Sequence, residues 1–437
     1  MSQFQLLRST RFAPLFVVQF LGAFNDNVFR FALIILISFS LEESVGTDPG
    51  TLVVLSGGIF IVPFFLFSAL AGQIADKYEK SRIIKNVKFA EIFIMLFAAM
   101  AFWIGNLALL FVVLFLMGSQ SAFFGPLKYA ILPQHLEQRE LTGGNGLIQM
   151  GTYTAILLGG IVGGMLAAVA GIGTVAVALC VVMLAICGWL VAHRIPQAAP
   201  SDSTIGLEWN LAAATWRLLQ IAASNRVTLV IILAISWFWF LGATFLSLVP
   251  TYAKETLYAD ERVVTMMNVA FTVGIGFGSL LCERSSRGRI ELGLVPLGAL
   301  GVSLFSLDFF LHGNPYSPAA QLTVTTFFSH HPATRAFCDL VLIGGFGAIF
   351  IVPLYAALQA RVAEEFRARI MAALNVTNAA FMVTSALFTM VLLANGASIA
   401  GIFGLVALLN LVALIILSVA LPEFADRAWA IVLHRKK

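Results

Sequence analysis

Apolar residues run unbroken along this chain for about 20 or more positions at a time, and short charged or Gly/Pro-containing stretches separate the runs. Runs of that length read as membrane-spanning helices, since about 20 residues at 1.5 Å rise each cross a ~30 Å hydrocarbon core. The breaks place helices over residues 12–39, 51–74, 83–104, 107–131, 146–169 and 173–194. A second set follows over 227–252, 263–282, 291–311, 336–358, 370–394 and 399–421. The pattern predicts an all-α membrane protein of twelve transmembrane helices. It divides into an N-terminal six-helix half (1–194), a linker (195–226), a C-terminal six-helix half (227–421) and a tail (422–437). Within the linker, Trp209, Ala212, Trp216, Leu219 and Ala223 recur at helical spacing and predict an amphipathic helix on the membrane surface. Arg8 and Arg11 precede the first run as they would in a signal peptide. That run continues to about Phe39 without a small-residue cleavage site, so it reads as a retained helix.

Composition agrees with this pattern. Of 437 residues, 60% are hydrophobic and 11% charged, with a mean hydropathy of +0.94. Soluble domains are about a quarter charged, so a soluble globular enzyme is excluded. The balance of 26 basic against 22 acidic residues is too even to indicate nucleic acid. Cys180, Cys187, Cys282 and Cys338 fall in or beside apolar runs without close ligand spacing, so neither a metal, a cofactor nor a disulfide framework is expected. Loop charges set the orientation. If the termini and alternate loops share one side, that side carries 19 basic residues, and the other carries Lys254, Arg262 and Arg335. The positive-inside rule then makes both termini cytoplasmic.

Short motifs repeat between the halves. Phe20-Leu21-Gly22-Ala23 in the first helix returns as Phe240-Leu241-Gly242-Ala243 in the seventh. Phe123-x-x-Pro126-Leu127-x-x-Ala130-Ile131 in the fourth returns as Phe350-x-x-Pro353-Leu354-x-x-Ala357-Leu358 in the tenth. Nearly equal offsets at corresponding helices mark a transporter built from parallel repeats.

After the second helix, Gly72 to Arg82 resembles the loop signature of the major facilitator superfamily, Gly-x-x-x-Asp-Arg/Lys-x-Gly-Arg/Lys. It supplies Gly72, Asp76, Lys77, Lys80 and Arg82, with Glu79 where the second glycine is usual. A degenerate copy after the eighth helix carries Glu283 and Arg284. A carboxylate at a helix end beside bases can clasp two segments in one conformation and release them in another. These residues are therefore read as a conformational latch, with an ordinary positive-inside loop as the alternative.

In the first helix, Asn25-Asp26-Asn27 interrupts an apolar run, and Arg30 follows one turn after Asp26 on the same face. A carboxylate near midspan costs at least ~2.5 kcal/mol to insert, so it should face a cavity or a partner. Asp26, Asn25, Asn27 and Arg30 are candidate substrate-binding residues, against the alternative of a structural Asp26–Arg30 pair. Lys128, just after Pro126, is a candidate phosphate contact. Lys85 and Lys88 in the third helix read as snorkelling bases. Glycines in helices five (Gly151, Gly159, Gly160, Gly163, Gly164) and eight (Gly274, Gly276, Gly278) predict close helix packing. Met165 stands where drug/proton antiporters carry a proline in their helix-five motif. The 38 phenylalanines read mainly as lipid-facing.

Phe24-Asn25-Asp26-Asn27, Gly125-Pro126-Leu127-Lys128-Tyr129-Ala130-Ile131-Leu132 and Asn145-Gly146-Leu147 through Gly159 resemble the bacterial lysophospholipid transporters. Phe350 to Gln359 is closer still to the transporter domain of proteins fused to an acyltransferase and an acyl-carrier-protein synthetase. The sequence ends at Leu433-His434-Arg435-Lys436-Lys437, so those fused domains are expected to be absent. The resemblance implies a monomeric flippase of the bacterial inner membrane that moves lysophosphatidylethanolamine and related lysolipids to the cytoplasmic leaflet. Membrane lipids would surround it, and a cytoplasmic acyltransferase or acyl-carrier-protein synthetase would be its partner. By motif, Asp26 and Lys128 take the family's charged positions. Leu246 and Gln149 stand where standalone members carry an arginine and a glutamate, and Gln149 is kept as a candidate contact. Chemically, Asp26 suits an ammonium, and Arg30 or Lys128 a phosphate.

The main alternative is a proton-coupled carrier of a soluble solute or drug. A membrane acyltransferase lacks its His-x4-Asp signature, since His135 is followed at that spacing by Glu140. Neither a phosphate loop nor a Gly-x-Ser-x-Gly nucleophile elbow occurs. An enzyme is therefore not expected.

Overall fold

The structure, a computed structural model, describes residues 3–40, 49–286, 288–312 and 321–433. Of the basic residues behind the orientation argument, Arg287, Arg435, Lys436 and Lys437 lie outside the described residues, as does the end of the tail, 434–437.

In chain order the helices are α1 (Ala13–Ser40), α2 (Pro49–Lys77), α3 (Lys80–Ile104), α4 (Leu107–His135), α5 (Leu141–Ala167), α6 (Gly173–Ala192) and α7 (Leu211–Ala223). There follow α8 (Arg226–Thr251), α9 (Glu261–Ser286), α10 (Leu294–His312), α11 (Val324–Phe327), α12 (His331–Arg361), α13 (Arg367–Ala394), α14 (Ile399–Ala420) and α15 (Pro422–Val432). Twelve of these described helices are long and apolar enough to cross a membrane, all but α7, α11 and α15. They match the twelve runs read from the sequence to within a few residues at each end. The largest extensions are polar. α12 starts at His331 rather than 336, and α5 at Leu141 rather than 146, because backbone hydrogen bonding continues past the point where hydropathy fades.

Contacts divide the chain into two units. The first comprises 1–138, 151–225 and 359–379; the second comprises 139–150, 226–358 and 380–437. The start of α13 thus belongs with the first unit, and the start of α5 with the second. The first unit's core is a layer of Val28, Phe29, Leu33, Met95, Phe102, Leu114, Met117 and Val181, drawn from α1, α3, α4 and α6. Glycines of α5 permit close packing on α1. A Cβ at Gly159 would lie 2.6 Å from the Phe24 carbonyl oxygen. Gly164, counted in the same face, has no neighbour within 4 Å.

The second unit holds an aromatic stack of Phe245, Phe403, Phe309 and Tyr252, with successive centroids 4.7–4.9 Å apart. Beside it lies a polar knot. Asn410 accepts from the Trp237 indole at 2.8 Å and donates to the Ala299 carbonyl (2.8 Å) and the Ser303 hydroxyl (2.9 Å). Pairing every buried polar atom matters here because lipid offers no substitute partner.

Besides the four-residue α11, two helices lie outside the spans. The linker forms α7, whose buried stripe is Ala214, Leu218 and Ala222, one turn apart each. The stripe read from the sequence is the opposite, outer one, where Trp216 is 64% exposed; Trp209, 70% exposed, precedes the helix, which starts at Leu211. A helix that buries an apolar stripe and presents a tryptophan outward suits an interfacial position. The tail contains α15, which the sequence reading left without structure. It buries Phe424 and Ala428 and exposes Trp429, with Pro422 at its first turn.

Candidate functional site

α1 brings the first group of candidates together, and α3 and α4 complete it. Asn25 and Asn27 are buried, while Asp26 and Arg30 are half-buried. Ser121 on α4 donates its hydroxyl to Asp26 Oδ2 at 2.7 Å. Arg30 does not close an ion pair with Asp26. Its guanidinium carbon lies 4.8 Å from the centroid of the Phe60 ring. The structural Asp26–Arg30 pair considered from the sequence is therefore not formed. Asp26 is held by a hydroxyl, so its charge remains available to another partner. Asn27 turns back on its own helix and donates to the Ala23 carbonyl at 2.7 Å.

α3 supplies a group whose importance the sequence reading missed. Lys88 does not snorkel. It is 1% exposed, and its ammonium meets Glu91 Oε2 at 2.6 Å. Glu91 also accepts from Asn25 Nδ2 (3.0 Å) and Gln120 Nε2 (2.9 Å), so one carboxylate gathers donors from α1, α3 and α4. The Lys88 ammonium also lies 4.9 Å from the Phe124 ring centroid. The legible signal was Lys88-x-x-Glu91, an i, i+3 pair inside an apolar run. Lys128 is half-buried, 4.9 Å from the ring of Tyr129. Gln149 is buried on α5, in the segment that belongs with the second unit.

The loop between α2 and α3 forms the second group. Asp76 is fully buried and accepts from the backbone amides of Ala368 (3.1 Å) and Arg369 (3.2 Å) and from Arg369 Nε (2.9 Å). The carboxylate thus sits on the N-terminus of α13, where unpaired amides and the helix dipole favour an anion, with a guanidinium added. Gly72, one turn earlier, is needed for this approach. A Cβ there would come within 2.7 Å of the Ala372 Cβ and 3.1 Å of the Arg369 Cα. Arg369 was counted in the sequence only as a loop base. Its partner is 293 residues away, and no local pattern reports such a pair.

Two of the motif's bases hold the linker. Lys80 Nζ donates to the Ala199 carbonyl (2.9 Å) and the Ser201 hydroxyl (2.8 Å), and Lys77 Nζ to the Ile205 carbonyl (2.8 Å). Arg82 is exposed. On the α9 copy, Arg284 is exposed and Glu283 half-buried, with no clasp like that of Asp76 among the described residues.

Glu79, where a glycine is usual, caps α3 from an extended backbone (φ −63°), so the turn requires no left-handed residue. Its side chain accepts from the amides of Ser81 (2.9 Å), Arg82 (2.7 Å) and Ala198 (2.7 Å). Burial works to raise this carboxyl, but these hydrogen bonds together outweigh it and hold it below the usual glutamate range. A lowered carboxyl contributes stability that is present above the ordinary glutamate value and is lost as pH falls through the lowered one. Glu79→Gln is accordingly expected to cost about 1 kcal/mol at neutral pH. It should also flatten the acid limb of a plot of melting temperature against pH. An unchanged acid limb would remove Glu79 from this role.

Comparison with known proteins agrees with these observations. The family model described as Major Facilitator Superfamily matches residues 15–337. The Lysophospholipid transporter LplT of Escherichia coli O7:K1 is 30% identical over 351 residues, 79% of each chain, and that of Escherichia coli O6:K15:H31 matches equally. Among solved structures, a bacterial homologue of the iron transporter ferroportin in an outward-facing state superposes with a TM-score of 0.69 at 15% identity, covering 95% of this chain and 99% of its own. The human organic anion transporter MFSD10 gives 0.68 at 14% identity, over 92% and 99%. Both share the fold, at identities that carry no more than the fold. With twelve spanning helices, a loop signature whose aspartate clasps α13, and this breadth of similarity, the chain belongs to the major facilitator superfamily, as a multi-pass membrane transporter of the bacterial LplT-like kind and not an enzyme.

Proposed function

We propose that the protein moves lysophosphatidylethanolamine and related single-chain phospholipids across the bacterial inner membrane toward the cytoplasmic leaflet, by alternating access. The observation that carries this reading is the polar patch on α1. Asp26 is half-buried at mid-helix and held by a neutral hydroxyl, and the charges of Arg30 and Lys128 lie near enough to interact with its own. A zwitterionic headgroup needs both signs of charge in one apolar setting, and charge-assisted hydrogen bonds are about twice as strong as neutral ones. Asp26 takes the ammonium, and Arg30 or Lys128 the phosphate. The 30% identity to LplT over most of both chains supports the same substrate class. The Asp76–Arg369 clasp is the element that opens and closes as the conformations alternate. Both termini face the cytoplasm, following the loop bases. A cytoplasmic acyltransferase consumes the delivered lysolipid.

The test is the movement of labelled lysophosphatidylethanolamine across proteoliposome membranes, with and without a proton or sodium gradient. Movement above empty liposomes in the absence of a gradient is expected. Movement only of a soluble solute, tracking a pH gradient, would replace this reading with the proton-coupled carrier.

A further inference from the structure

Glu91 is bound as a ligand would be. Its two oxygens receive the Lys88 ammonium, the Asn25 amide and the Gln120 amide at 2.6–3.0 Å, from three helices. The donors are 1%, 0% and 8% exposed. A cation with two N–H donors around a carboxylate is also a cradle for a phosphate oxygen, because both anions accept hydrogen bonds through oxygens bearing shared negative charge. The position of Lys88 along α1 is fixed by a second contact. Its ammonium rests against Gly22, where a Cβ would come within 2.5 Å of Nζ. Gly22, Asp26 and Arg30 are spaced four residues apart, so they share one face of α1, about 6 Å per step. Base, acid and base therefore alternate along this face, with Lys88 at one end, Asp26 in the middle and Arg30 at the other.

A buried Lys–Glu pair adds little to stability over apolar packing of the same volume, whereas breaking it is costly. Its better-attested use is in specifying or switching a state.

We propose that Lys88, with Asn25 and Gln120, is a second phosphate-binding station of the transport path, and that Glu91 is the resident anion the phosphate displaces. This rests on the lysolipid reading and adds to it. The ammonium of the headgroup stays with Asp26 while the phosphate passes between the Arg30 side and the Lys88 side, a shift of one helical turn in either direction. Glu91 closes the Lys88 station when no lipid is present, so the cation is never left unpaired in the membrane.

The test is equilibrium binding to the purified full chain of two probes, lysophosphatidylethanolamine and a single-chain alkylamine that lacks the phosphate. Lys88→Gln is expected to weaken lysophosphatidylethanolamine on the order of tenfold and to leave the alkylamine unchanged. Lys88→Arg should restore most of the loss. Glu91→Gln should tighten lysophosphatidylethanolamine, because the cradle then lacks its competing charge. The exchanged pair Lys88→Glu/Glu91→Lys separates this role from a purely structural one. It restores an ion pair, so a structural pair predicts full recovery of binding, and the present proposal predicts none. Equal weakening of both probes by Lys88→Gln, or weaker binding by Glu91→Gln, would overturn the proposal while leaving the lysolipid reading intact. If the unmodified protein binds the alkylamine but not lysophosphatidylethanolamine, the lysolipid reading fails first, and this proposal with it.

Discussion

Asp26→Asn is expected to reduce lysophosphatidylethanolamine transport on the order of 10- to 100-fold while leaving the fold intact. The side chain keeps its size, and Ser121, 2.7 Å from Oδ2, can still donate to an amide oxygen. What is lost is the negative charge facing the ammonium. A hydrogen bond to a charged group contributes about 1.5–3 kcal/mol, and 1.4 kcal/mol corresponds to a factor of ten. Arg30, turned onto Phe60, and Lys128 both lose a nearby negative charge, so a modest loss of stability accompanies the substitution. Transport by reconstituted protein, read beside the melting temperature in detergent, separates the two effects. Near-normal transport by the asparagine variant would remove Asp26 from the binding site. Loss of both transport and folding would instead make it a structural residue.

Opening the clasp should have the second large effect. Asp76→Asn keeps an acceptor for only one of the two α13 amides, because Ala368 and Arg369 donate to different oxygens, and it removes the charge opposite Arg369, whose side chain is 11% exposed. Breaking a buried pair by removing one partner costs on the order of 3–5 kcal/mol, since the remaining charge is left without its counter-ion. Asp202 limits that cost here. Its carboxylate is 3.6 Å from Arg369, close enough to take over part of the charge. The linker amides of Ser201 and Asp202 also bind the Asp76 carbonyl, at 2.8 and 2.9 Å, so the linker keeps its place. The expected outcome is a lower melting temperature, with a further drop in Asp76→Asn/Asp202→Asn. Gly72→Val should produce a similar loss by a different route, because its added atoms meet α13 at 2.7–3.1 Å. Thermal unfolding of the three variants checks this. A melting temperature unchanged in Asp76→Asn would show that the clasp holds nothing.

The spans were readable because the bilayer imposes a length and a hydropathy on each helix, and that signal is local. Motif spacing was readable for the same reason. Gly72 and Asp76, four residues apart, do lie on one face toward one partner. The partner itself was not readable. Arg369 looks like any positive-inside base until α13 is packed, and Asp202 in the linker looks like any loop carboxylate. Lys88 was misread because burial is decided by neighbours. A lysine near a helix end usually snorkels. Here Glu91, one turn away, and the space left by Gly22 make a buried ammonium the better arrangement. The α7 helix was legible as amphipathic, but the stripe recognised was its exposed one. The large Trp209 and Trp216 drew the stripe, while the packing is done by Ala214, Leu218 and Ala222 on the other side of the helix.

The Asp26 patch, on the reading proposed above, serves a phosphorylated headgroup carrying one acyl chain. Its most direct test compares three labelled molecules in the same proteoliposomes: lysophosphatidylethanolamine, its diacyl counterpart, and the deacylated headgroup glycerophosphoethanolamine. The lysolipid alone is expected to cross faster than in empty liposomes. Movement of the deacylated headgroup driven by a pH gradient, with the lysolipid at the empty-liposome rate, would contradict it.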